Sequence, residues 1–226
     1  MEARICKVDK APRTTFQLSS GKFKFSLSTT SNMAPDSTIH LVRHAQGYHQ
    51  LPLSHPDIGL RDPELTSYGR EQSQRFCAQF THHKDIDLLC ASPMRRTLLT
   101  TLLTFEPEVS GGMRVVALPD AQETTDAPSD IGSPPSTLMK EFGDQIDYSN
   151  LSNDWYSKTG HNAVDHASLL ARARRLRRWV RGRKEKTIVI VTHGAFAHFI
   201  TGNIDEKGQQ IGEQNFVSPL ANGTNT

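Results

Sequence analysis

The chain has 226 residues, with 26 Lys and Arg against 24 Asp and Glu and a formal net charge of +2. That length, with 36% hydrophobic and 22% charged residues, describes an ordinary soluble globule large enough for one α/β domain with a sizeable core. No run of about 18 apolar residues exists, which excludes a membrane span, and Cys6, Cys77 and Cys90 lack disulfide or zinc spacing and suit a reducing, cytoplasmic setting.

Residues 1–32 read as an N-terminal extension to a domain spanning 33–226. Phe16 and Leu18, then Phe23, Phe25 and Leu27, alternate around Ser20-Gly21, the pattern of a small hairpin. The segment has no apolar stretch for a secretory signal, and Glu2 and Asp9 make it a poor transit peptide. The apolar run Thr38–Val42 then predicts a buried strand, 38–43, followed by a long loop with Pro52, Pro56, Gly59 and Pro63. Thr66 reads as the N-cap of a helix over 67–82. A strand is expected over 86–91, a helix over about 94–106, a strand over 113–118, a polar loop over 120–136 and a helix over about 136–145. A long helix over about 163–182, the strand 187–191 and a helix over 195–201 complete the pattern, and residues 202–226 are polar and weakly patterned. This βα alternation predicts a three-layer α/β/α sandwich with a mainly parallel central sheet.

Residues 172–186 carry nine Arg or Lys against Glu185 alone. Such a stripe suits nucleic acid, an anionic membrane or a phosphorylated substrate. Leu169, Ala173, Leu176 and Val180 mark an apolar seam at helical spacing, so the basic residues read as the solvated face of a core helix. No nucleic-acid motif accompanies the charge, so neither a nucleic-acid nor a membrane partner is expected.

The chemistry gathers at predicted strand ends, where open α/β sheets place their sites. Leu41-Val42-Arg43-His44-Ala45-Gln46-Gly47 delivers an arginine and a histidine. Ser92-Pro93-Met94-Arg95-Arg96 delivers two arginines at a helix start, where free N–H groups and the helix dipole already favour anions. Asp120-Ala121-Gln122-Glu123 supplies carboxylates, and Thr192-His193-Gly194 supplies a second histidine. Together they make a metal-free pocket for a tetrahedral dianion, with no cofactor required. Arg43, Arg96 and His193 can meet the equatorial oxygens, His44 can attack, and Glu123 can protonate the leaving oxygen.

These motifs resemble those of the histidine phosphatase superfamily, the phosphoglycerate-mutase-like group. Arg43-His44-Ala45 is similar to its Arg-His-Gly signature. Asp62, Leu65, Thr66, Gly69 and Gln72 match its Asp-x-x-Leu-Thr-x-x-Gly-x-x-Gln pattern. Ser92, Pro93, Arg96 and Thr100 match Ser-Pro-x-x-Arg-x-x-x-Thr, and His193-Gly194 matches its second histidine. Residues 121–133 also resemble a middle motif of a fungal branch, Leu-Gln-Glu-x-x-Asp-x-Pro-x-Asp-x-Gly-Ser, which locates the acid at Glu123 and leaves Asp126 and Asp130 as turn or capping residues. The resemblance implies a phosphoglycerate-mutase-like fold and a metal-independent phosphatase with His44 as nucleophile. It further implies that Arg43, Arg96 and His193 hold the phosphoryl oxygens, while Glu123 acts as acid and then base.

Gln46, Gly47, His49, Gln50 and Gly194 are expected to bind substrate, although many members carry asparagine where Gln50 stands. Arg95 is expected at the rim, and the other seven histidines mostly at the surface. The expected partner is a small phosphorylated molecule. Rival readings are a mutase that returns the phosphoryl group to its substrate, a specialised-metabolism enzyme acting on a phosphorylated or diphosphorylated intermediate, and a degenerate domain that only binds phosphate. Tyr48, Leu51, Leu53, Phe142, Tyr148, Trp155 and Tyr156 are candidates for an apolar part of the pocket.

Overall fold

A computed structural model describes residues 22–23, 38–52, 54–55 and 59–202. Leu53, the tail after residue 202 and most of the expected hairpin lie outside the described residues. Within them, Lys22–Phe23 (β1) pairs antiparallel with Thr38–Arg43 (β2), setting Phe23 opposite Ile39.

The remaining strands are Leu88–Ala91 (β3), Val115–Ala117 (β4), Ile146–Asp147 (β5) and Thr187–Thr192 (β6). The sheet order is β1-β2-β6-β3-β4-β5, and every pair beyond β1 is parallel. Alternating side chains on these strands enter two separate cores, as expected of a sheet covered on both faces. Val189 and Val191 face a core with Phe76, Leu98 and Leu138, whereas Ile188 and Ile190 face one with Leu176, Val180 and Phe196. Ser67–Gln79 (α1), Arg95–Thr104 (α2) and, after the short Glu106–Ser110 (α3), Pro135–Phe142 (α4) cover the first face. His166–Arg181 (α5) and Gly194–Thr201 (α6) cover the second. The three-layer α/β/α architecture is the expected one.

Departures fall at element ends. The first helix stops at Gln79 because Phe80 turns into the core. Thr104 ends α2, and Pro107 in the first turn of α3 suits a new helix start, since proline has no N–H to continue the old one. Asp165, whose side chain accepts from Ser168 N, starts α5 later than expected. Strand β5, only two residues long, was not foreseen. His40 and His198 are buried rather than superficial; His40 rides on β2 under the Phe80 ring.

Candidate active site

Strand register brings the two histidines together. Arg43 stands opposite Thr192 on the paired strands β2 and β6, so the next residues, His44 and His193, leave the same edge side by side. Their ring centroids lie 5.1 Å apart, and the His49 ring is 5.4 Å from His44. Because the strands are parallel, β3 ends at the same edge, where Ser92 N donates to Val191 O.

His44 is buried at 2% exposure. Its Nδ1 lies 2.7 Å from Ala45 O. A carbonyl can only accept, so Nδ1 carries the proton and Nε2 presents a lone pair. Burial, then Arg96 and His49, hold His44 well below the usual imidazole range, which keeps it neutral.

Arg96 is the fully buried hub. Its Nε donates toward His44 Nε2 at 3.4 Å, its Nη1 to Ser129 O at 2.6 Å, and its Nη2 to Asp130 Oδ1 at 2.9 Å and His193 Nδ1 at 3.2 Å. Because Arg96 Nη2 can only donate, His193 Nδ1 accepts, and Nε2 of the neutral ring carries the proton and donates to Ser92 Oγ at 2.9 Å. Burial and Arg96 also keep His193 neutral. Glu123 brings Oε2 to 3.9 Å from His193 Nδ1. Burial and then Asp130 push its carboxyl above the usual range, favouring the proton-carrying form. Arg43 leaves a buried Nε without a hydrogen-bond partner beside the cluster. A Cβ on Gly194 would fall 3.1 Å from that Nε, so glycine gives the guanidinium its room.

The expected binding residues divide between the pocket and its scaffold. His49, lowered to about 3 by burial and then Arg96, lies beside His44. Gln50 Oε1 accepts from Gly47 N at 3.1 Å, and Gln46 Oε1 accepts from the Thr66 hydroxyl at 2.8 Å, so both carboxamides are committed to their own loop. A Cβ on Gly47 would fall 2.8 Å from His49 Nδ1.

The 62–72 motif is a seat for this loop. Asp62, at a left-handed φ of 44°, caps α2 by accepting from Arg95 N at 3.0 Å. Leu65 bridges Gly47, Thr66 caps α1 through Gly69 N, and Gln72 Oε1 accepts from Gln46 N. From α2, Thr100 Oγ1 accepts from Ala45 N. Donors, acceptors and two neutral imidazoles thus converge on one edge of the sheet, where an anion could be held and attacked.

A family model described as histidine phosphatase superfamily (branch 1) matches residues 39–220. The chain belongs to that superfamily. A Schizosaccharomyces pombe protein named "Probable phosphatase SPAC513.02" is 30% identical over 170 residues, covering 70% of this chain and 74% of that protein. An Arabidopsis thaliana protein named phosphoglycerate mutase-like protein 1 is 28% identical over 200 residues, covering 70% of this chain and 68% of that one. The structure of a phosphoserine phosphatase from Entamoeba histolytica in complex with 3-phosphoglyceric acid is 22% identical, covers 78% of this chain and 86% of its own, and has a TM-score of 0.47. Membership of the histidine phosphatase superfamily puts the protein among phosphatases and phosphoryl-transfer proteins.

Within this histidine phosphatase domain, three residues of the site region were not singled out in the sequence. Asp130, read as a turn or capping residue, instead pairs with Arg96. Arg172, read as part of a solvated face, is fully buried against the acid loop. Lys158 donates to Glu123 O at 3.2 Å, and burial and then Arg172 pull its ammonium down to about 8. Arg95 does stay toward the rim, paired with Glu141. Trp155 and Phe142 are core side chains, and Gly132 packs so closely on Trp155 that a Cβ would fall 2.2 Å from its ring.

Proposed function

We propose that the protein is a phosphomonoesterase that hydrolyses a small-molecule phosphate ester through a phosphohistidine at His44, without a metal ion. The observation that carries this reading is the orientation of His44. Its Nδ1 is tied to Ala45 O, leaving Nε2 as a neutral nucleophile beside Arg96. In the first step His44 Nε2 attacks phosphorus, the bond to the leaving oxygen breaks, and the Glu123 proton passes to that oxygen. In the second step Glu123, now a carboxylate, takes a proton from water as its oxygen attacks phosphohistidine, freeing phosphate and His44. Arg43 and Arg96 offset the charge on the equatorial oxygens, with His193 beside them. Gly47, Gly194 and His49 shape the rim of the pocket, and Gln46 and Gln50 hold its loop.

Rapid quenching with a radiolabelled phosphate ester should trap acid-labile, base-stable label on the wild type. His44→Ala should carry no label and release no phosphate. Activity should survive a chelator. Label on the His44→Ala variant, or activity lost to chelation and restored by a divalent cation, would overturn the reading. Discharge of the labelled protein to water rather than to added 3-phosphoglycerate separates hydrolysis from mutase-type transfer.

A further inference from the structure

The basic run of α5 does several jobs. Arg175 pairs with Asp120, Arg177 donates to the carbonyls of Phe199 and Ile200 at the end of α6, and Arg174 and Arg178 are exposed. Arg172 is the arginine of this helix that is fully buried. Burying a guanidinium is costly unless hydrogen bonds compensate; Nε and Nη1 of Arg172 have no hydrogen-bond partner, so the partners of its third nitrogen are informative. Its Nη2 donates to Gln122 O and to Glu123 O, both at 3.0 Å. These two carbonyls bracket the Cα of Glu123, one on each side. Lys158 Nζ reaches the same Glu123 carbonyl. The guanidinium carbon lies 4.2 Å from the centroid of the Phe196 ring, three residues beyond His193 on α6. Burial lowers Arg172 only to about 10, so it stays charged at neutral pH. One side chain therefore ties α5, the acid loop and the helix that follows the second histidine.

We infer that Arg172 is a positioning residue for Glu123, clamping the backbone on both sides of the acid so that its carboxyl stays aimed at the leaving oxygen. This rests on the assignment of Glu123 as the acid made above. The clamp matters in proportion to how much the leaving group needs a proton. An alkoxide needs one badly, whereas p-nitrophenolate leaves with little help.

The test compares kcat/KM for β-glycerophosphate and p-nitrophenyl phosphate in Arg172→Met, Arg172→Lys, Glu123→Gln and the Arg172→Met, Glu123→Gln double variant. The ratio of the two substrates is independent of the fraction folded. Arg172→Met should lose about 10²-fold on the alkyl ester, the scale of a small misplacement at a reacting centre, and only a few-fold on the aryl ester. Arg172→Lys should recover part of the ratio, and the double variant should match Glu123→Gln. An Arg172 ratio equal to wild type, with a shifted Glu123→Gln ratio, would overturn the positioning role alone. A wild-type ratio in Glu123→Gln would overturn the acid assignment and this inference with it. If Arg172→Met does not fold, the Arg172→Lys ratio decides.

Discussion

Asp130 lies against the guanidinium that an incoming phosphoryl group would need, and its charge acts on two neighbours. It compensates the fully buried Arg96, which would otherwise be an unpaired buried cation. It also repels the Glu123 carboxylate and so helps keep that carboxyl protonated. The second effect gives a signed prediction. The general acid is lost as pH rises through its raised value, so kcat/KM on an alkyl phosphate should fall on the basic side of that value. Asp130→Asn removes the repulsion, and this basic limb should move to lower pH; a limb that stays put would uncouple the two carboxyls. Glu123→Gln should abolish the limb and cost about 10²–10⁴ in rate. No limb near the usual imidazole value should come from His44 in free enzyme, because it is held well below that range. Asp130 was not legible as a partner in the sequence. A Pro-Ser-Asp turn has no periodicity to orient it, and its arginine lies 34 positions away.

At the scale of elements, α1 is as much a seat for the loop after β2 as a layer of the sandwich. Gly69 lies in its first turn, where a Cβ would fall 2.1 Å from Gln46 O. Helix propensity alone favours alanine over glycine by about 1 kcal/mol. The clash is with backbone, which cannot rotate away, and overpacking of this kind costs roughly 1–3 kcal/mol. Gly69→Ala should therefore lower Tm despite its better propensity, and should also lower kcat, because the displaced carbonyl belongs to the loop carrying His44. A stabilised variant with full activity would refute the seat. Thr66→Ala should cost about 1 kcal/mol through the lost N-cap. The motif spacing displayed the residues of this seat, and Thr66 was readable as a cap, but what they grip was not. Long periodic elements such as β6 and α5 were legible because apolar side chains recur at the right interval. Strand β5 and helix α3 are too short for any interval to show. Arg172 was hidden by its neighbours, since one inward arginine in a run of outward ones leaves no mark on composition.

For the whole molecule, the strand order carries the site. With β6 between β2 and β3, parallel strands deliver His44, His193 and Ser92, all three buried, to one edge. Legibility here was high for the layers, because βα alternation dictates a covered parallel sheet, and nil for strand order, which no local pattern encodes. Concentrating neutral histidines in that edge has a cost that appears in acid. His44, His49 and His193 are all lowered, chiefly by burial. In the unfolded chain each titrates near its usual value of about 6.5. Below that pH the unfolded state binds more protons than the folded state, so stability rises with pH and is lost as pH falls. Glu123 and Asp62 oppose this, since both are raised and favour the folded state while it alone holds their protons. With His198, also lowered by burial, four groups stand against two and leave a net loss on acidification. Urea unfolding at a series of pH values should show the free energy of unfolding declining from pH 7 toward pH 5.5. His49→Asn should make that decline shallower, by a slope that approaches one proton's toward pH 5.5, because His49 stays neutral in the fold until about 3. A slope unchanged by the substitution would mean that His49 protonates alike in the folded and unfolded states, contrary to its enclosure beside His44.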